Sequence, residues 1–360
     1  MKKIKKKIDV ALQGGGAHGA FTWGVLDRLL ADDRLYIEGI SGTSAGAMNA
    51  VVLTDGLARG GGKTGARNAL HNFWKAVSDA ARFSPVQRMP LDRLQGNWTL
   101  DTSPAYLLFE MAVRAVSPYQ FNPLDINPLR DLVAQHVDID RVRSCRELKI
   151  FISATNVRTG KAKIFRREEL SVDAVMASAC LPQLFKAVEI DGEAYWDGGY
   201  MGNPALFPLV DETSANDLII VQINPIVRAA LPHTAMEITN RLNEITFNAS
   251  LIKEISSILL LKQLVDEENL DQVRYTDMRL HRISAENELQ KLGVSSKLNA
   301  EWAFLQHLHD IGYSTAEQWL EQNFAYLGKQ STLDDSSIYF AESGKPPQLS
   351  AEPILCAPRP

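Results

Sequence analysis

The sequence predicts an α/β protein of three layers, in which a mostly parallel central sheet lies between helices, with a helical insertion and further helices at the C-terminus. Three observations lead there. Over the first 56 residues, short apolar runs that end in glycine alternate with helical patterns, and that order requires helical crossovers and hence parallel strands. Further buried runs, "LKIFISATN" and "DLIIVQINP", return after residue 145. The chain has 360 residues, 45% hydrophobic and 22% charged, which is ordinary globular usage and enough length for a sizeable core.

Taken in order, residues 7–12 read as a buried strand stopped by Gln13 and three glycines, and Phe21, Val25, Leu26 and Leu29 then fall at helical spacing. "RLYIEGI" is the second strand. "AGAMNAVVL" is the second helix, with Gly56 placed for a left-handed cap. "GLARGGGKTG", residues 56–65, ends like a phosphate-binding loop, but Leu57 stands where the opening glycine belongs and a helix precedes it. A surface loop with Thr64 capping the next helix is expected instead. Residues 78–130, rich in Pro and in aromatics such as Phe83, Trp98, Tyr106, Phe109, Tyr119 and Phe121, read as an insertion at the sheet edge, a lid or binding loop.

The sheet then resumes with "LKIFISATN" and a hairpin turning at Thr159 and Gly160. "DAVMASACLP" is a helix closed by Pro182, "EAYWDGG" a strand running into two glycines, and "DLIIVQINP" another buried strand. Ile238, Leu242, Ile245, Ala249, Ile252, Ile255 and Leu259 draw one apolar stripe along a long helix, expected to face the core. The organisation predicted is one domain over residues 1–330, with a core at 7–225, the insertion at 78–130 and a helical elaboration at 235–330. Residues 331–360 read as a loosely held tail.

A net charge of −5 gives no support to nucleic-acid binding. The lysines of "MKKIKKKIDV" lack the apolar stretch of a signal peptide and read as a tail leading into the first strand, although such a cluster can attract an anionic membrane. No apolar run reaches the roughly 18 residues of a spanning helix. Cys145, Cys180 and Cys356 are too scattered for a disulfide framework or a zinc site, so a cytoplasmic location with at most peripheral membrane contact is expected.

Gly42-Thr43-Ser44-Ala45-Gly46 fits G-x-S-x-G between a strand and a helix, the setting of a nucleophile elbow. So sharp a turn leaves no room for a Cβ two places before or after the serine, and it exposes the hydroxyl at the mouth of a helix. "GGGAHG", residues 14–19, supports two readings. Gly14, Gly16 and Gly19 fit a dinucleotide-binding loop with Glu38 as ribose-binding acid; alternatively, amides bare of side chains can face an acyl oxygen as it becomes an oxyanion. His233, His281, His307 and His309 are each available to complete a Ser-Asp-His triad, while Asp197, in "YWDGGY", ends a strand before Gly198 and Gly199.

Together, "GGGAHG", "GTSAG" and "DGG" resemble the patatin-like phospholipase family over roughly residues 7–225, with "SACLP" similar to that family's small-residue helix ending in proline. The resemblance implies a lipid acyl hydrolase acting on lipid or phospholipid esters without metal or organic cofactor. Ser44 would be the nucleophile and Asp197 the proton acceptor of a dyad. Gly14, Gly15 and Gly16 would supply oxyanion amides, and Gly19 would fit the helix against the sheet. One departure is His18, where the family commonly carries Arg or Lys; it would supply a cation only when protonated. The alternatives are an NAD(P)-dependent oxidoreductase using Gly14–Gly19 and a catalytically idle lipid-binding protein.

Overall fold

The computed structural model describes residues 5–228, 230–268 and 277–333, without side chains at 263–268. The chain opens with β1 (Lys6–Leu12), α1 (Gly19–Ala31), β2 (Leu35–Gly42), α2 (Ala45–Gly56) and α3 (Gly62–Ala81). Short helices follow: α4 (Pro90–Leu94), α5 (Pro104–Ala115), α6 (Pro118–Phe121), α7 (Pro128–His136) and α8 (Ile139–Ser144). Then come β3 (Lys149–Asn156), β4 (Ala162–Arg166), α9 (Val172–Ser178), β5 (Val188–Ile190), β6 (Glu193–Asp197), α10 (Phe207–Glu212) and β7 (Asp217–Gln222). The C-terminal part holds α11 (Ala235–Glu268), β8 (Arg279–Ser284), α12 (Glu286–Leu289) and α13 (Trp302–Asn323).

Among the described residues one sheet runs in the order β5-β6-β3-β2-β1-β7-β8, with β4 pairing on β3. The strands from β3 to β8 through β2, β1 and β7 are parallel, and the pairings of β4, β5 and β6 are antiparallel. Alternation along the strands divides the core. Val10, Leu12, Ile219 and Val221 face the layer of α1, α2, α3 and α13, whereas Ala11, Leu218 and Ile220 face α10 and α11. The molecule is thus the three-layer α/β/α arrangement with helical elaboration that the strand order implies.

The C-terminal helix docks tightly on the core. A Cβ on Gly24 of α1 would stand 1.9 Å from the His309 carbonyl oxygen, and one on Gly312 of α13 would stand 2.1 Å from that of Phe21. Reciprocal glycines let the two backbones touch.

Several local expectations are corrected. Gly56 has φ −62°, a helical value, and its need is spatial, because a Cβ there would meet Ala66 Cα at 2.6 Å. Thr64 lies within α3, which Gly61 caps, and α9 ends at Ser178, before Pro182. β5 and β8 were not legible, and β8 places a strand inside the expected helical elaboration. The buried face of α11 is Glu244, Asn248, Leu251, Ile255 and Ile258, while Ile238, Leu242 and Ile245 are exposed. The first half of that helix therefore turns its polar side inward.

In the insertion, Tyr106 is buried and Trp98 stacks on Phe304 and His307, but Phe83, Tyr119 and Phe121 are exposed. Lys6 donates to the carbonyls of Phe324 and Leu327 at 2.7 Å, so it clamps the end of α13 and does not belong to a solvated tail. Of the predicted C-terminal tail, residues 334–360 lie outside the described residues. Leu333 donates its amide to the Leu280 carbonyl of β8.

Candidate active site

Ser44 sits between β2 and α2 with φ 54° and ψ −119°, a positive-φ conformation that non-glycine residues adopt only where the fold compels it. The flanking glycines show what compels it. A Cβ on Gly42 would stand 2.5 Å from the Gly46 carbonyl oxygen, and one on Gly46 would stand 2.3 Å from that of Leu12 in β1. Helix and strand thus close on the turn from both sides and lift Ser44, partly exposed, out of a buried surround. Its own amide donates to Ser178 Oγ at 2.9 Å, which ties the elbow to the end of α9.

Sheet pairing brings Asp197 to the same place. β3 carries β4 on one edge, and on the other it carries first β2, as far as Gly42 opposite Ile152, and then β6, from Asp197 opposite Ala154. As β2 leaves the sheet at the elbow, β6 takes up the vacated edge from the opposite direction, so the last residue of β6 stands beside the turn. Gly198 and Gly199 are required there by contact. A Cβ on Gly198 would stand 2.2 Å from the Ser153 carbonyl oxygen, and one on Gly199 would stand 2.0 Å from the Phe247 ring. Freed of a side chain, the Gly199 amide donates to Asp197 Oδ1 at 2.7 Å.

Asp197 is 1% exposed. Burial raises its carboxyl from 3.8 to about 7, against the pull of the Gly199 amide, of the Ser44 hydroxyl and of the Lys297 charge. A carboxyl at that value can accept a proton near neutral pH, which an ordinary aspartate does poorly.

The glycine loop follows β1 directly. A Cβ on Gly14 would stand 2.8 Å from Ser44 Cβ, so this backbone lies against the serine. Gly14 is buried and its amide donates to Asn203 Oδ1 at 2.7 Å. Gly15 and Gly16 are open to solvent, and no acceptor is found for their amides among the described residues. Gly19 packs against Ala45 and Trp74, so it fits α1 to the neighbouring helices α2 and α3 and not to the sheet. Below the loop, Gln13 accepts from the amides of Ile223 and Asn224 at 2.8 and 2.7 Å and donates to Asn248 Oδ1 at 2.8 Å.

Comparison with known proteins matches the family model "Patatin-like phospholipase" to residues 10–210. The chain belongs to this family. Among solved structures it is similar to VipD from Legionella pneumophila, at 14% identity and a TM-score of 0.38, covering 89% of this chain and 67% of that one. It is also similar to the ExoU-SpcU complex of the type III secretion system of Pseudomonas aeruginosa, at 16% identity and a TM-score of 0.37, covering 89% of this chain and 52% of that one. The chain thus spans about two thirds of the first and about half of the second. Patatin-like membership supports lipid hydrolysis as the general activity of this site.

In this patatin-like chain the other candidates lie elsewhere. His281 bonds Asp217 at 3.0 Å at the amino end of β7, His307 stacks on Trp98, and His309 lies between Asp27 and Asp310. His233 is exposed ahead of α11. Among the described residues no histidine bonds Ser44 or Asp197. Glu38 is held by Ser214, Lys7 and Lys149, before the end of β2 and away from the loop where a ribose would need it. His18 is buried with Nε2 2.7 Å from Ser296 Oγ; burial, with the Lys297 charge, lowers it to about 3, so it stays neutral and brings no cation to the loop.

The residues that sequence reasoning missed are the polar scaffold: Gln13, Ser178, Asn203, Asn224, Asn248 and Lys297. A faint signal existed for some. Gln13 ends an apolar strand, and Asn203 and Asn224 each precede a proline. Lys297 lies beyond the matched residues and carries no motif.

Proposed function

We propose that this chain is a serine acyl hydrolase that cleaves carboxylic esters of lipids through Ser44 and Asp197. What supports the reading above all is Asp197: a buried carboxyl that sheet pairing brings beside the elbow serine and that its surroundings raise to about 7. In the first half-reaction Ser44 Oγ attacks the ester carbonyl carbon while Asp197 takes the hydroxyl proton, leaving a tetrahedral oxyanion. The amides of half-buried Gly15 and exposed Gly16, together with the positive end of α2, would hold that charge. Collapse breaks the bond to the alcohol or lysolipid, which leaves with the proton from Asp197. Water then attacks the acyl-enzyme while Asp197 takes its proton, and collapse breaks the acyl–Oγ bond as Asp197 returns that proton to Ser44 Oγ and the fatty acid departs.

The reading places the reaction at a lipid surface, with the protein peripheral to it. Among the described residues no helix is long and apolar enough to cross a membrane. The exposed Ile238, Leu242 and Ile245 lie within about two and a half turns of Phe247, which borders the Asp197 loop. Free, buried Cys145 and Cys180 suit a reducing compartment.

The decisive experiment combines a fluorophosphonate probe with hydrolysis of a chromogenic short-chain ester. Wild type is expected to be labelled at Ser44 and to turn over. Ser44→Ala loses both, and Asp197→Asn loses turnover by about a thousandfold or more. Near-wild-type turnover in either variant would refute the dyad.

A further inference from the structure

Residues beyond the family match close over the glycine loop. The 3-10 turn Val294–Leu298 packs on the 3-10 turn Gly16–His18, with Ser296 Oγ on His18 and the Lys297 carbonyl oxygen 2.5 Å from where a Cβ of Gly16 would stand. The Lys297 side chain then reaches inward. Its Nζ donates to Asn224 Oδ1 at 2.7 Å, and Asn224 Nδ2 donates to the Gly14 carbonyl at 3.0 Å. Two hydrogen bonds thus connect the ammonium to the peptide that carries the Gly15 amide. The same Nζ lies 5.8 Å from the Phe247 ring, which closes the space beside Gly199, the donor to Asp197.

We propose that Lys297 is a positioning residue of this site: through Asn224 it holds the glycine loop in place, and its charge keeps the Asp197 carboxyl available as a base. The proposal rests on the dyad reading above. A lysine serving only as an anchor is usually bound by a carboxylate; here the hydrogen-bond partner is a neutral amide. Glu244, whose charge acts on Lys297 along with that of Asp197, is engaged by Arg228 at 2.5 Å and Arg241 at 3.2 Å. The groups that face Lys297 are Glu244, Asp197, Arg228 and the neutral His18. Those that face Asp197 are Lys297, Ser44, Gly199, Cys180 and Tyr200, and the last two feel its charge as a rise in their own values. Desolvation lowers Lys297 to about 8, so at pH 7 it still carries its proton.

The test is the pH dependence of kcat/KM on an uncharged chromogenic ester, for the full chain and for Lys297→Met, Lys297→Gln and Lys297→Arg, with folding checked by near-UV circular dichroism. Wild type is expected to show an acid limb near 7, from Asp197. Both neutral variants should move that limb upward by roughly 0.5 to 1 pH unit, the scale set by losing one nearby opposite charge. They should also lower the plateau about tenfold or more, with Lys297→Gln, which keeps a donor toward Asn224, losing less. Lys297→Arg should restore the position of the limb. An unmoved limb in both folded neutral variants overturns the proposal, whatever the change in rate. Titration of the Asp197 carboxyl carbon by NMR, assigned by difference against Asp197→Asn, gives the same comparison without turnover. A raised carboxyl pKa in Lys297→Gln supports the charge role even if Ser44→Ala shows that the dyad reading fails, and an unchanged one removes it.

Discussion

Replacing Asp197 with Asn should make the protein more stable at neutral pH while abolishing its proposed chemistry. The carboxyl stands at about 7 in the fold against 3.8 when free. A group whose folded pKa is raised contributes its full stability below the unfolded value and loses it as pH climbs through the folded one. Across the window from about 4 to 7, folded Asp197 must therefore either hold a proton that the unfolded chain releases or carry a charge in a dry site. At about 1.4 kcal/mol per decade, the whole displacement corresponds to about 4 kcal/mol at pH 7 and above. Asparagine avoids that cost, can still accept from the Gly199 amide, and can donate toward Ser44. With unfolding entropy of about 2.1 cal/mol/K per residue, 4 kcal/mol is a rise in Tm of about 5 °C for a chain of this length. Differential scanning calorimetry of both proteins from pH 4 to 8 checks this. The curves should nearly coincide at pH 4 and separate steadily toward pH 7. A gap that does not depend on pH, or an Asn variant melting below wild type at pH 7.5, would refute the assignment of a desolvated carboxyl.

Three further outcomes follow from the same geometry. Ser44→Gly should be more stable than Ser44→Ala by about 1 kcal/mol in urea unfolding, since glycine accepts a φ of 54° that alanine does not; equal midpoints would mean the elbow stores no strain. Gly46→Ala, whose methyl would sit 2.3 Å from the Leu12 carbonyl oxygen, should cost at least about 1 to 3 kcal/mol and reduce fluorophosphonate labelling, read by thermal melting and by gel. His18→Gln, able to keep a hydrogen bond to Ser296, should leave the pH–rate profile between 5 and 8 unchanged, because His18 is neutral throughout that range; a limb near 6.5 that vanishes in the variant would contradict this.

Local signals in the chain reached the front half of the sheet and both ends of the proposed dyad, because each is written in short-range chemistry. Strand runs ending in glycine marked β1 and β2, the hairpin at Gly160 marked β3 and β4, and the paired glycines around Ser44 and after Asp197 reflect contacts within a few ångströms. What stayed hidden depends on partners distant in sequence. β8 acquires its role only by lying beside β7, and Asn248 acquires its own only by meeting Gln13, more than 200 residues earlier in the chain. The stripe through Ile238, Leu242 and Ile245 failed for a related reason: helical period identifies a face, but not which face is covered, and here polar groups under the site claimed the inside. Lys297 shares no motif with the loop it supports, and its place follows from how α13 and the turn before it fold back over α1.

The succession of two strands along one side of β3 has a further consequence for how this chain can vary. The distance between Ser44 and Asp197 is counted in residues of β3, from Ile152 to Ala154, and not in the more than 150 residues that separate them along the backbone. The segment of residues 82–127 can therefore lengthen, shrink or be exchanged without disturbing the proposed proton transfer, whereas slipping β3 by a single position would turn the Asp197 carboxyl toward the opposite layer. Diversity in such a molecule should accumulate in the largely exposed short helices of residues 90–121, while the few peptide units opposite Gly42 and Asp197 tolerate almost no change in spacing.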